Sequence, residues 1–494
     1  MGATCNIHGR AKNQEVLGTK CNVQLTLQQI DAQGKRQVTM MKPKRIRALL
    51  RAIFSLFCFF AVVCVSVAQE KAAPLLVVIS VDGLRPDYVT AADAHGAKVP
   101  HLRKFLHDGT YAQGVTGVIP TVTYPSHTTL MTGVWPAKHG ILANQTFDPL
   151  QKNHEGWYWY AEDIRVPTLW DAAAAAGRTT ASIQWPVTVG AKINWNIPEF
   201  WRAGTPEDAK LLRVVSTPGL LAEAKAAVGE YRGGIDATPE SDEVRGKYAV
   251  WILEKKRPGL LTLHLLALDH IQHETQPFSP KAIAVLEQLD AVVGKVWEAA
   301  ERVAPGHAFV AVVSDHGFTK YEQQLNLIAA FRKANLFSVD DQGKISDWRA
   351  MPWEAGGSAA IVVKNPKDGL TQATVRTLLA KLAADPANGI DRVLEGEELH
   401  RKGGYPNASF FVGLKPGWRT GAALSGPVLS TVKTGGTHGE LPDLPELRAS
   451  FFLVGPGVPA GKNLGLIDMR DIAPTLAKEA GLALPTADGK SLLP

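Results

Sequence analysis

Residues 75–81 read LLVVISV and run directly into Asp82-Gly83. A stretch this short, apolar at every position but Ser80 and rich in Val and Ile, predicts a strand buried on both faces. Two further runs have the same form. Residues 259–268 read GLLTLHLLAL and end at Asp269, and residues 309–313 read FVAVV and end at Ser314-Asp315-His316. Helical patterns separate them, at 99–106, 166–176 and 280–304. Later strand candidates lie at 359–363, 409–412 and 450–454. Asp471 is placed to N-cap a final helix with Pro474 in its first turn. Alternating strands and helices predict an α/β fold with a mostly parallel central sheet covered by helices on both faces. The stretches 320–357 and 403–439 read as loop insertions in that fold.

The chain has 494 residues, 45% of them hydrophobic and 20% charged. This is the composition of a globular protein and excludes a disordered, collagen-like or coiled-coil chain. The net charge of +6 is concentrated at the N-terminus. Residues 1–68 carry ten Lys/Arg and two Asp/Glu, a balance of +8 that leaves the remainder at −2. The remainder therefore offers no general field for duplex nucleic acid. Lys42, Lys44, Arg45, Arg47 and Arg51 precede an apolar run at 53–67, and Ser66-Val67-Ala68 follows as a small-x-Ala step. That order predicts a secretory signal cleaved near Ala68, with Met40 or Met41 as the true start. The expected organisation is an N-terminal extension and signal at 1–68, then a single catalytic domain at 69–494. The product would be exported, periplasmic or secreted, with no stable membrane insertion. All four cysteines, Cys5, Cys21, Cys58 and Cys64, precede Ala68. The exported chain would then hold neither disulfide nor thiol, and any metal would need His, Asp and Glu ligands.

Three strands that each end at an Asp put carboxylates at the sheet edge where α/β proteins bind ligands. Asp269 and His273 stand four apart, with His270 as an alternative ligand. Asp315 and His316 are adjacent, His438 lies in the loop Gly435-Gly436-Thr437-His438-Gly439, and Asp82 completes the set. His264, inside a strand, reads instead as a satisfied core histidine. Asp and His suit zinc, and this many ligands imply two ions, an arrangement matched to in-line displacement at phosphorus. Residues 120–144 read PTVTYPSHTTLMTGVWPAKHGILAN, and 126–133 looks like the start of a helix, where anions are favoured. The candidate hydroxyl nucleophiles are Thr121, Thr123, Ser126 and Thr128. Spacing does not choose among them.

With those motifs in this order, the chain resembles the nucleotide pyrophosphatase/phosphodiesterase family of the alkaline phosphatase superfamily. The resemblance rests on VVISVDGLRPDY at 77–88, PTVTYPSHTTLMTGVWPAKHGI at 120–141, Asp269-x-x-x-His273, SDHG at 314–317 and GTHGE at 436–440. It implies an alkaline-phosphatase-like fold and two zinc ions per chain. It implies that Thr123 is the nucleophile and ligates one ion with Asp82, Asp315 and His316, while Asp269, His273 and His438 hold the other. Asn144 would donate to a phosphate oxygen, Tyr124 would stack a base, and Trp201 or Phe200 would close the pocket opposite. Ser126 stands where many members have Asn, and Glu440-Leu441 replaces a common Tyr-Asp.

The implied reaction is hydrolysis of a phosphodiester or pyrophosphate bond in a small molecule, a nucleotide or related diester, through a phosphothreonine. The nearest rival is a phosphomonoesterase, which would want extra cations. Residues 185–201, WPVTVGAKINWNIPEFW, supply only Lys192. The rival from another class is a non-catalytic exported protein that binds zinc or phosphate.

Overall fold

Seven buried residues, Leu75–Val81 (β1), apolar except for Ser80, form the centre of the sheet because both their faces are covered. The computed structural model describes residues 73–153, 156–200, 208–231 and 236–494, together with the backbone of a hairpin that pairs Thr26–Ile30 antiparallel with Arg36–Met40. The signal sequence and Trp201 lie outside the described residues. Met1–Ala72 and Ala73–Pro494 are separate units, and the second carries every element from β1 onward. Among the described residues no helix is long and apolar enough to cross a membrane.

The main sheet has eight strands: β1, Thr110–Tyr111 (β2), Thr180–Ile183 (β3), Trp195–Ile197 (β4), Leu260–Leu265 (β5), Ala308–Val313 (β6), Phe451–Val454 (β7) and Lys462–Asn463 (β8). Their spatial order is β8-β2-β7-β6-β1-β5-β3-β4. All pairings are parallel except those of β7, which runs antiparallel to β6 and β2. The α/β architecture is therefore the expected one, a mostly parallel central sheet. Alternation along β1 divides the core. Val77, Ile79 and Val81 pack under helices Pro239–Lys256 and Pro280–Val303. Leu76 and Val78 face the opposite layer, which includes helices Leu169–Ala175 and Ile472–Glu479.

Three local expectations differ from the structure. The run 259–268 is not strand throughout. It ends at Leu265, and Asp269 lies in the first turn of helix Ala267–Thr275. The cause is a distant carboxylate, since Asp242 Oδ2 accepts the N–H groups of Leu266 and Ala267 at 2.9 and 2.8 Å and so caps the new helix. The segments at 359–363 and 409–412 are strands, but they belong to a separate four-stranded antiparallel sheet formed by Ala350–Glu354, Ser358–Val363, Phe410–Leu414 and Ile390–Glu395. The supposed insertions thus carry regular structure. Asp471 does precede the last helix, but its carboxylate accepts from Lys490 N at 2.8 Å and makes no cap bond.

Candidate metal centre and nucleophile

The carboxyl ends of three adjacent strands place the polar residues. Asp82 follows β1, Asp315 and His316 follow β6, and helix Ala267–Thr275 follows β5 and carries Asp269 and His273 one turn apart. His438 arrives from outside the main sheet, at the end of strand Leu429–Thr437, which pairs with Thr319–Leu325. The chain can turn beside it because Gly439 takes φ +101°, where a Cβ would overlap the Ala355 carbonyl. Nε2 of His316 lies 3.1 Å from Asp315 Oδ2 and 3.5 Å from Asp82 Oδ1. Asp269 is 3.4 Å from His273 Nε2 and 3.7 Å from His438 Nε2.

Two donor sets result, with ligand atoms within 4.8 Å of one another: Asp269, His273 and His438, and Asp82, Asp269 and His316. Asp269 stands between the two. Asp315 points Oδ1 at Gly83 N–H, at 3.1 Å, and leaves Oδ2 beside His316. His270 belongs to neither set; it is exposed and lies 3.4 Å from Glu274.

The donors fit a cation. His273, His316 and His438 each place Nδ1 3.0 Å from a backbone carbonyl, those of Gly436, Gly317 and Thr121. Donation there assigns the tautomer and leaves each Nε2 lone pair bare, the arrangement a metal-ligating histidine needs. Asp82 Oδ1, Asp269 Oδ1, Asp315 Oδ2 and His316 Nε2 are buried without a hydrogen-bond partner. Such groups are costly unless something positive satisfies them. Burial and the neighbouring Asp315 and Asp269 push the Asp82 carboxyl well above its ordinary value. Burial alone would lower His316, but Asp315, Asp82 and Asp269 outweigh it and hold the ring up at about 9. His438 is pushed well down by burial and by His316 and His273. Nitrogen and carboxylate donors without sulfur suit zinc among the common ions.

His264 is a buried core histidine, as expected, but it is also tied to the site. Its Nε2 lies 3.0 Å from Asp82 Oδ2 and its Nδ1 2.9 Å from Glu199 Oε2.

Helix Thr123–Thr132 begins three residues before the predicted 126–133, which puts Thr123 at its first position. A cavity of about 390 Å³ is lined by Asp82, Thr123, Tyr124, Asn144, Trp157, Glu199, Asp269, His270, His273 and His438, with Ala237 and Leu266. Of the four candidate hydroxyls only Thr123 lines it. Thr121 donates to Glu440 O and Thr128 to Tyr124 O, while Ser126 is fully buried. Asn144 Oδ1 accepts the Tyr124 N–H at 2.9 Å, capping this helix and leaving Nδ2 available to donate. No Lys or Arg lines the cavity among the described residues, and Lys192 is not part of it.

Tyr124 stands on the aromatic side of the cavity, which it lines. The Tyr124 ring is fully buried, 5.3 Å from Trp157 and 6.3 Å from Trp159, and its hydroxyl donates to Glu199 Oε1 at 2.9 Å. Trp157, half-buried and part of the lining, went unnoticed in the sequence, although the WYWY run at 157–160 was a signal. Phe200 packs on Trp159 at 5.1 Å. Glu440 lies below His438, accepts from Thr319 Oγ1 at 2.5 Å, and does not line the cavity.

Comparison with known proteins bears on the fold and the family. The backbone superposes on that of murine ectonucleotide pyrophosphatase/phosphodiesterase 5, solved as an inactive variant in complex with AMP, with a TM-score of 0.60 at 21% identity, covering 84% of this chain and 97% of that one. An uncharacterized pyrophosphatase/phosphodiesterase of Schizosaccharomyces pombe is 26% identical over 278 residues, 54% of this chain and 51% of that protein. Mouse bis(5'-adenosyl)-triphosphatase is 30% identical over 129 residues, 24% of this chain and 26% of that protein. Human ectonucleotide pyrophosphatase/phosphodiesterase family member 1 is 24% identical over 260 residues, 49% of this chain and 23% of that protein. The chain thus spans about half the length, or less, of these curated relatives. A family model described as Type I phosphodiesterase / nucleotide pyrophosphatase matches residues 76–440, most of the chain, and to that family the chain belongs.

Proposed function

We propose that the protein hydrolyses phosphodiester or pyrophosphate bonds of small molecules, nucleotides or related diesters, in a metal-dependent reaction with Thr123 as nucleophile. The observation that carries this is the group of partnerless buried acceptors, Asp82 Oδ1, Asp269 Oδ1, Asp315 Oδ2 and His316 Nε2, beside a cavity that opens on the Thr123 hydroxyl. Two zinc ions, held by Asp269, His273 and His438 and by Asp82, Asp315, His316 and Thr123, would supply the positive charge that acidifies the hydroxyl and offsets charge on the leaving oxygen.

The protein's own part has two in-line steps. Thr123 Oγ1 bonds to phosphorus as the leaving oxygen departs, giving a phosphothreonine diester. Water then bonds to phosphorus, and the Thr123 oxygen leaves and regains its proton. Asn144 Nδ2 and the positive end of helix Thr123–Thr132 face the charge that develops on the non-bridging oxygens. The absence of Lys and Arg from the described lining favours diesters over dianionic monoesters. The AMP complex of the murine relative and the diadenosine triphosphatase name of another point to nucleotides as the first substrates to try. Export through the basic-apolar leader is part of the same proposal.

Metal analysis alongside turnover of bis-p-nitrophenyl phosphate tests it. Two zinc equivalents per chain, and activity lost to a chelator and restored by zinc, are expected. A metal-free preparation with full activity would refute it, and so would a metal-loaded protein that turns over no diester.

A further inference from the structure

A chain of buried side chains runs from the cavity lining to a proposed metal ligand. The Tyr124 hydroxyl donates to Glu199 Oε1 at 2.9 Å, Glu199 Oε2 lies 2.9 Å from His264 Nδ1, and His264 Nε2 lies 3.0 Å from Asp82 Oδ2. Tyr124, Glu199, His264 and Asp82 are all buried, with exposures of 0%, 1%, 0% and 3%. His264 projects from β5 opposite Ser80 of β1, in the strand pairing that also fixes where Asp82 leaves the sheet. Its other contact, at 3.0 Å, is the Gln184 carbonyl.

Both ring nitrogens of His264 face oxygens, so this imidazole has no lone pair directed at an ion and is not itself a ligand. Its effect falls on Asp82. Occupying Oδ2 fixes the carboxylate plane and leaves Oδ1, the partnerless atom, facing His316. Buried arrangements of two carboxylates around an imidazole gain little stability over apolar packing, because desolvation offsets their attraction. Orienting a ligand is the return such an arrangement gives, and partners of this kind change metal affinity substantially.

We propose that His264, anchored by Glu199, is a positioning residue for the metal subsite that contains Asp82, and that it acts on this subsite and not on that of His273 and His438. The proposal rests on the metal-dependent reading above. It also makes Tyr124 a common support for both halves of the site, since its N–H holds Asn144 while its hydroxyl holds Glu199.

The test is a zinc titration against a competing chromophoric chelator, on full-length wild-type, H264L, H264Q and E199Q proteins, with folding checked by circular dichroism. In H264L one of two zinc equivalents should weaken by about 10- to 100-fold and the other stay within about threefold. H264Q, whose amide can still donate to Asp82, should recover part of the loss, and E199Q should shift the same equivalent by less. The zinc concentration for half-maximal activity should follow that equivalent, while KM for the diester at saturating zinc stays within about threefold. Wild-type affinity at both equivalents in folded H264L, or equal weakening of both, overturns the proposal. If H264L does not fold, wild-type affinity in both H264Q and E199Q overturns it. A wild-type protein that binds no zinc refutes instead the functional reading beneath it.

Discussion

Asn144 is assigned two tasks by its two amide atoms, and substitution separates them. Oδ1 accepts the N–H of Tyr124 in the first turn of helix Thr123–Thr132, which has no side-chain cap from its own N-cap residue. Nδ2 is the proposed donor to a phosphate oxygen. Asn144→Ala removes both. Loss of a cap costs about 0.5–2 kcal/mol of stability. Loss of one preorganised donor to the transition state costs about 2.7–4 kcal/mol, a fall of about 10²–10³ in kcat. Asn144→Asp keeps an acceptor for Tyr124 N–H, so the cap and most of the stability should return. It replaces the donor with a negative charge, so activity should be no better than that of the Ala variant. Thermal melts and steady-state kinetics on bis-p-nitrophenyl phosphate, both at saturating zinc, read the two effects separately. An Asp variant within about tenfold of wild-type kcat would refute the donor role, and an Ala variant with an unchanged melting temperature would refute the cap.

Thr123→Ala should lower kcat by at least about 10²–10³ while two metals stay bound; nearly full activity there, with an inactive Ser126→Ala, would move the nucleophile to Ser126. His273→Ala and His438→Ala should each lower bound zinc by mass spectrometric metal analysis and, because the ions bind the folded state, should lower the melting temperature in zinc as well. Glu354 gives a pH effect away from the site. Burial raises its carboxyl from 4.5 to about 8, so its contribution to stability is full below pH 4.5 and is lost as pH rises to about 8. Glu354→Gln should remove that slope and so gain stability relative to wild type as pH rises towards 8 in urea melts, and an unchanged slope would contradict it. Bis-p-nitrophenyl phosphate should exceed p-nitrophenyl phosphate in kcat/KM by about two orders of magnitude, or about 2.7 kcal/mol.

The range of the interactions involved decides which features were legible in the sequence and which were hidden. β1 and β6 were legible because strands buried on both faces are almost wholly apolar, with Ser80 the one polar residue of β1, and the Asp that ends each run marks the sheet edge. The run at 259–268 misled because a mostly apolar stretch, broken only by Thr262 and His264, has no period to separate strand from helix. The group that ends the strand, Asp242, lies 24 residues earlier. Glu199 was invisible for the same reason, since its partner His264 is 65 residues away and only the fold brings them together. Tyr124 was found by position, but a sequence motif does not show that its hydroxyl is held by Glu199, 75 residues away. The late strands were found by composition. The membership of those at 359–363 and 409–412 in a second sheet depends on antiparallel pairings with Ala350–Glu354 and Ile390–Glu395 that apolar composition does not encode.

The proposed preference for diesters would come from charge balance in the cavity. Asp82, Asp269 and Asp315 contribute three carboxylates, and His273, His316 and His438, their Nδ1 atoms donating to backbone, would ligate as neutral rings. While Thr123 keeps its proton, the two proposed divalent cations against three carboxylates would leave one positive charge in surplus. A diester brings one negative charge and matches it. A dianionic monoester brings two, and the described lining offers no Lys or Arg to meet the second. Glu199 also lines the cavity, with its oxygens directed at Tyr124 and His264. Beside these buried carboxylates an uncompensated charge is costly, and that cost grows as the nucleophile approaches. The discrimination should therefore appear mainly in kcat, with KM less affected. If the monoester instead loses only in KM, the difference lies in ground-state binding and the charge account fails.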